Sequence, residues 1–210
     1  MPNEFKKLKY DVAEVFATFE IKRTLGFTTD LENDIELVEI PFLLENQRQK
    51  LLNEGKFWNA TEMRMFFISI LFLCVDLEVA EKIKLFYERT LNAEIDGHKI
   101  SVVCDCLLAA PRGIGNPQTP YFFLQEFKKQ KNADDAEGQM LLAMLASQTL
   151  NTDNDEVYGA FVQGKFWNFT VLKHRDYIVS RSYDASQLDD LQMIFAILKN
   201  LKRLVLAKIG

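Results

Sequence analysis

Residues 99–110 read Lys-Ile-Ser-Val-Val-Cys-Asp-Cys-Leu-Leu-Ala-Ala, and residues 121–128 read Tyr-Phe-Phe-Leu-Gln-Glu-Phe-Lys. Both runs are apolar and rich in β-branched or aromatic residues, so both predict strands. Pro111 to Pro120 lies between them, dense in Pro and Gly, and predicts a loop that joins them as a hairpin. Each run carries one acid in an otherwise greasy setting: Asp105 among Val102, Val103, Leu107 and Leu108, and Glu126 after Phe122 and Leu124. Strand side chains alternate, so Asp105 is expected on one face with Cys104 and Cys106 on the other, while Glu126 and Lys128 share a face. A carboxylate in such surroundings costs several kcal/mol unless it is paired or binds a cation. Two acids on neighbouring strands, with a lysine beside one of them, form a seat for a hard divalent ion.

The chain around these runs alternates helical and extended patterns. Phe5, Leu8, Val12, Val15, Phe16 and Phe19 fall at helical spacing, predicting a helix over 3–25 that Gly26 ends. Asp30 to Asp34 reads as a turn, and Glu36 to Ile40 alternates briefly before Pro41. A second helix is expected through Leu52, closed by Gly55, and Thr61 is placed to cap a third that runs to about Leu91. Gly97 marks a turn before the first strand. After the second strand, Asp134 with Glu137 three positions on predicts a capped helix whose body, Gln139 to Leu150, has almost no charge and should be buried. Further strands are expected at Tyr158–Val162, Lys165–Leu172 and Tyr177–Ser182, with Gly164 at a hairpin turn. A last helix covers Leu188–Ile209, and its basic end (Lys199, Lys202, Arg203, Lys208) suits the helix dipole. The pentapeptide Gly-Lys-Phe-Trp-Asn occurs twice, at 55–59 and 164–168, without similar flanks, so no internal duplication follows.

Composition narrows the class. The chain has 210 residues, a formal charge of −5, 48% hydrophobic and 26% charged residues, the profile of a globular domain rather than a disordered, collagen-like or coiled-coil chain. One domain over 1–210 is expected, with 1–55 as an N-terminal helical extension and 56–210 as the core. Cys74, Cys104 and Cys106 cannot all pair and have no zinc-ligand spacing, which favours a reduced, cytoplasmic setting. Cys104 and Cys106 read as small core residues. His98 and His174 form no metal cluster, and no targeting signal is visible. The greasiest segment, Met65 to Val75, has eleven residues, far short of the ~20 a membrane-spanning helix needs. Net acidity argues mildly against strong non-specific nucleic-acid binding but leaves room for a local basic cleft.

Asp105, a hairpin, Glu126-Phe127-Lys128 and then a helix carrying Gln139 resemble the PD-(D/E)xK phosphodiesterase superfamily with its restriction-endonuclease-like fold. Tyr158 to Phe169, with its Tyr-Gly, Gly and Trp, is similar to strands of uncharacterised bacterial and fungal nuclease-like proteins, and the resemblance covers roughly 55–180. Cys104 stands where the family usually has Pro, and the Asp105–Glu126 separation is long. The resemblance implies an α/β fold: a central mixed sheet flanked by helices, with extra N-terminal helices. It implies Mg²⁺ (or Mn²⁺) held by Asp105 and Glu126, with Glu62 on the first core helix as a further ligand. Lys128 would then stand beside the attacking water, and Gln139 would position a water or phosphate oxygen. The implied partner is nucleic acid, DNA ahead of RNA, with no membrane and with a homodimer left open. A catalytically inactive nuclease-like binding module is the alternative. Plainer roles stand beside each assignment: a cross-strand ion pair for Glu126 and Lys128, a helix-dipole acid for Glu62, a loop hydrogen bond for Gln139. Asp96 and Asp135 are the runner-up acids. Lys128, Lys129 and Lys131, extended by Lys173, His174 and Arg175, would steer a phosphate backbone.

Overall fold

A computed structural model describes residues 11–26, 29–33, 35–113, 115–128, 135–151 and 156–209. The elements follow in chain order: α1 (Val12–Phe19), β1 (Lys22–Leu25), α2 (Thr29–Glu32), α3 (Phe42–Glu54), a short 3₁₀ turn (Gly55–Phe57) and α4 (Ala60–Met63). A π-turn (Arg64–Ile68) joins α4 to α5 (Ser69–Val75), and β2 (Lys84–Ile95), β3 (His98–Arg112) and β4 (Asn116–Lys128) follow. The chain ends with α6 (Ala136–Leu150), β5 (Val157–Gln163), β6 (Phe166–Lys173), β7 (Asp176–Val179), β8 (Tyr183–Asp184) and α7 (Leu188–Ile209).

The strands form one mixed sheet of eight, in the order β1-β7-β6-β5-β4-β3-β2, with β8 paired to β6. The β4–β5 and β1–β7 pairs are parallel and the others antiparallel. A parallel pair needs a crossover, and α6 supplies the one between β4 and β5. Helices cover both faces. On one, α1 and α6 pack against Phe86, Val102, Leu107, Phe161 and Leu172. On the other, α3, α4, the π-turn, α5 and α7 pack against Leu108, Phe123, Phe127, Tyr158 and Trp167. The expected α/β architecture, a central mixed sheet between helices, is therefore present.

The sequence dictates α6 directly. Asp135 caps it, its carboxylate accepting from the backbone N–H groups of Glu137 and Gly138, and every residue from Gly138 to Gln148 is buried. A helix without a polar face is stable only when enclosed. Asp134, the expected cap, lies outside the described residues. Among the described residues no helix is long and apolar enough to cross a membrane.

Several expectations change. The helix expected over 3–25 ends at Phe19, because Glu20 adopts a left-handed cap (φ 51°), and residues 22–25 then enter the sheet as β1, parallel to β7; positions 3–10 of that expectation lie outside the described residues. Residues assigned to an N-terminal extension thus contribute a strand, and α1 packs on α6. The third helix is capped by Asn59 rather than Thr61, and it stops at Asp76 (φ 56°); 84–95 is strand β2. The Pro/Gly stretch is not a free loop, since β3 and β4 continue as a ladder to Arg112↔Asn116. The strand expected over 177–182 ends at Val179.

Gly159 of β5 sits directly under α6. A Cβ there would lie 2.8 Å from Thr170 Oγ1 and 2.9 Å from the sulfurs of Met140 and Met144. Gly159→Val is expected to lower the unfolding free energy by about 1–3 kcal/mol, read as a lower urea midpoint at unchanged slope. An unmoved midpoint would mean that α6 is not seated on β5 in this way.

Candidate functional site at the fork of β3 and β4

The β3–β4 ladder runs from Arg112↔Asn116 to Cys106↔Gln125 and goes no further, although β3 begins at His98 and β4 continues to Lys128. Past that point β3 stays with β2, and β4 goes on beside β5. The two strands part, and backbone groups at the fork need new partners. Three side chains supply them. Asp105 Oδ2 accepts from the Phe127 N–H (2.8 Å). Glu126 Oε1 accepts from the Asp105 N–H (3.2 Å). Gln139 reaches over from α6 and its Nε2 donates to the Val103 carbonyl (2.8 Å).

The fork also disturbs the alternation expected for β3. Cys104 packs with α1 and α6, whereas Cys106 joins the opposite core. In a regular strand these two would share a face, so the phase slips at Asp105. The neighbouring strand slips in step: Phe86 belongs to the same core as Leu91 and Ile95, and Glu88 between them takes a positive φ of 52°. The register skips both residues, pairing Tyr87 with Cys106 and Arg89 with Cys104.

Glu126 is 0% exposed, and its Oε2 is buried without a hydrogen-bond partner. Burial pushes its carboxyl well above the ordinary range, and the Asp105 charge pushes the same way. The Asp105 N–H, Lys128 and Arg64 pull less strongly in the other direction. Lys128 is half-buried at the end of β4, on the Glu126 face. Burial raises both Cys104 and Cys106 thiols well above their usual value, so they are neutral core residues, as expected.

Arg64 and Glu88 were missed from the sequence. Arg64 opens the π-turn, a feature frequent at functional sites. Its guanidinium bridges Glu88 (3.2 Å) and Asp105 Oδ1 (3.5 Å), and its Nε is buried without a partner. The only sequence signal was a lone cation against the greasy 65–75 segment. Glu88 was hidden by the reading of its strand as helix.

The remaining expected residues go elsewhere. Glu62 closes a capping box, its carboxylate accepting from the Asn59 N–H (2.6 Å), and nothing brings it into a group with Asp105 and Glu126. Asp96 pairs with Arg175 (2.6 Å), and Asp135 caps α6 while accepting from the Val12 N–H. Lys173 ends β6, and His174 and Arg175 form the turn into β7. The basic end of α7 is engaged: Lys202 with Asp76 and Lys208 with Glu156. Lys129 and Lys131 lie outside the described residues. Among the described residues no group of three or more His, Cys, Asp or Glu side chains is placed to hold a metal ion.

No protein-family model and no curated protein matches the chain. Function is therefore argued from the residues and their geometry.

A carboxyl that binds its proton more tightly folded than unfolded lowers stability as pH climbs from the unfolded value (about 4.3) toward the raised one. In metal-free protein, unfolding free energy should fall over that window, and Glu126→Gln should flatten the slope. Parallel pH curves for the two proteins would contradict the burial of an ionisable carboxyl here.

Proposed function

We propose that the chain is a divalent-metal-dependent phosphodiesterase acting on nucleic acid, DNA ahead of RNA, in the cytoplasm. The sheet is then read as a restriction-endonuclease-like core. The observation that carries this reading is the carboxylate pair at the fork, where Glu126 Oε2 is buried, unpartnered and beside a second acid. Two like charges held this way are relieved by a cation between them. Mg²⁺ takes one or two protein carboxylates and keeps several waters, so Asp105 and Glu126 fit it without a third acid. Glu62 is left out of the set, because its carboxylate caps α4.

Mg²⁺ or Mn²⁺ bound there supplies Lewis-acid polarisation of a phosphodiester oxygen and a more acidic bound water. Lys128, on the Glu126 face, holds a positive charge where a phosphate gains negative charge and orients the nucleophilic water. Gln139 is a positioning residue: by holding the Val103 carbonyl it fixes the β3 side of the fork. Arg64 adds a second fixed cation beside Asp105.

A second reading has its own support. The Arg64–Asp105 pair already places a cation at the acids, which is what a catalytically inactive nuclease-like binding module would keep after losing metal.

Supercoiled plasmid and single-stranded RNA incubated with Mg²⁺ or Mn²⁺ should be cut by the wild-type chain. Glu126→Gln and Lys128→Ala should each slow cutting by about 10²-fold or more. Calorimetric Mn²⁺ binding should disappear in Asp105→Asn. Metal binding without cutting would favour the module, and absence of both would overturn the phosphodiesterase.

A further inference from the structure

The two copies of Gly-Lys-Phe-Trp-Asn, separated by more than half the chain, meet at one cleft. Its volume is about 520 Å³, and Gly55, Lys56, Phe57, Trp58, Gly164 and Lys165 line it together with Leu51, Leu52, Met63 and Phe127. That is an ordinary size for a small-ligand site. The cleft also adjoins the fork: Phe127 forms part of its wall while its N–H is held by Asp105, and Met63 precedes Arg64, the partner of Asp105.

Its chemistry is specific. In a chain of net charge −5, the charged residues lining this cleft among the described residues are two lysines, with no carboxylate beside them in the lining. Lys165 is fixed by Asp184 (2.7 Å) and Ser186 Oγ (2.9 Å), while Lys56 stands with its Nζ 4.8 Å from the Phe57 ring centre. Phe57 is 74% exposed, so its ring is spent on no core contact. Trp58 behind it is buried and packs edge-on against Phe66, with centroids 5.6 Å apart. An exposed ring beside cations and above an apolar hollow suits a flat aromatic group carried on an anionic chain.

Resting on the phosphodiesterase reading, we infer that this cleft takes an unpaired nucleobase of single-stranded nucleic acid, stacked on Phe57, with flanking phosphates against Lys56 and Lys165. The strand would enter the fork from the cleft, and the preferred substrate is single-stranded or locally opened rather than intact duplex.

The test is binding in EDTA, where no cutting occurs. Labelled oligo-dT and an oligonucleotide carrying 2-aminopurine are titrated with wild-type protein, Phe57→Ala and Lys56→Ala. Wild-type protein should bind the single strand more tightly than a duplex of equal length and should quench 2-aminopurine. Phe57→Ala should weaken binding by about 10-fold and abolish the quench, and Lys56→Ala should flatten the salt dependence by about one phosphate contact. Unchanged binding by Phe57→Ala, equal affinity for duplex with no quench, or a change only in oligomeric mass (marking the face as a contact between copies) would each overturn the inference. Cutting that depends on Glu126 but is indifferent to Phe57 defeats the cleft and leaves the phosphodiesterase standing. Stacking without cutting does the reverse.

Discussion

Two strands that have paired along a long hairpin cannot part inside a protein without leaving amide and carbonyl groups in need of partners. At the fork of β3 and β4 these partners are side chains, and each acid binds the backbone of the other strand. The rest of the architecture fits around that arrangement. β3 remains with β2, β4 continues with β5, and α6 packs against all four of these strands, sending Gln139 into the gap. Asp105 and Glu126 therefore hold the fork together with one oxygen each, while the second oxygen of Asp105 meets Arg64 and that of Glu126 stays buried. Amide replacements, which keep an acceptor, separate the structural part from the ionic part better than alanine does.

Charge at the fork is unbalanced in an informative way. Glu126 is fully enclosed, and both burial and Asp105 favour its neutral form. Structural ion pairs are ordinarily arranged the opposite way, with each acid close to its own base. Here Arg64 sits on the far oxygen of Asp105 and is shared with exposed Glu88, and among the described residues no hydrogen-bond partner meets Glu126 Oε2. A buried oxygen left in that condition is destabilising in isolation. A ligand that met this oxygen would remove that cost, so a test of the site turns on Glu126 more than on Asp105.

Much of this was legible in the sequence because the relevant residues break a local rule. Acids within apolar strands stand out, and so does a helix like α6 without a charged face. Gln139 was picked out, although its partner is a backbone carbonyl of β3. The edge strand β2 was not legible, and the fork explains why. With the phase slip at Glu88, the buried residues Ile83, Phe86, Leu91 and Ile95 follow intervals of three, five and four, which imitate a helix. A period-two pattern with one slip cannot be told from a helical one over so short a run. Arg64 was hidden for a different reason: only the π-turn, a tertiary feature, aims it at Asp105. The capping box that occupies Glu62 has a sequence signature, Asn59 followed by Glu62, which an expectation of metal binding overshadowed.

The repeated pentapeptide shows how little local sequence decides and how much its pattern does. Residues 55–59 form a 3₁₀ turn and the cap of α4; residues 164–168 form a hairpin turn and the start of β6. No common backbone conformation relates them. What they share is partition: Trp58 and Trp167 are both buried in the core that faces α3 and α7, while each lysine ammonium lies near the ring of the phenylalanine that follows it, that of Lys165 being held by Asp184 as well. The same division of apolar and cationic groups thus arises on a helix end and on a strand end that border a single cleft. Two unrelated backbones converging on one surface chemistry is not required by packing, since either tryptophan could anchor its segment without a Lys-Phe pair outside it. What the two copies have in common is this placement of side chains, not a backbone conformation.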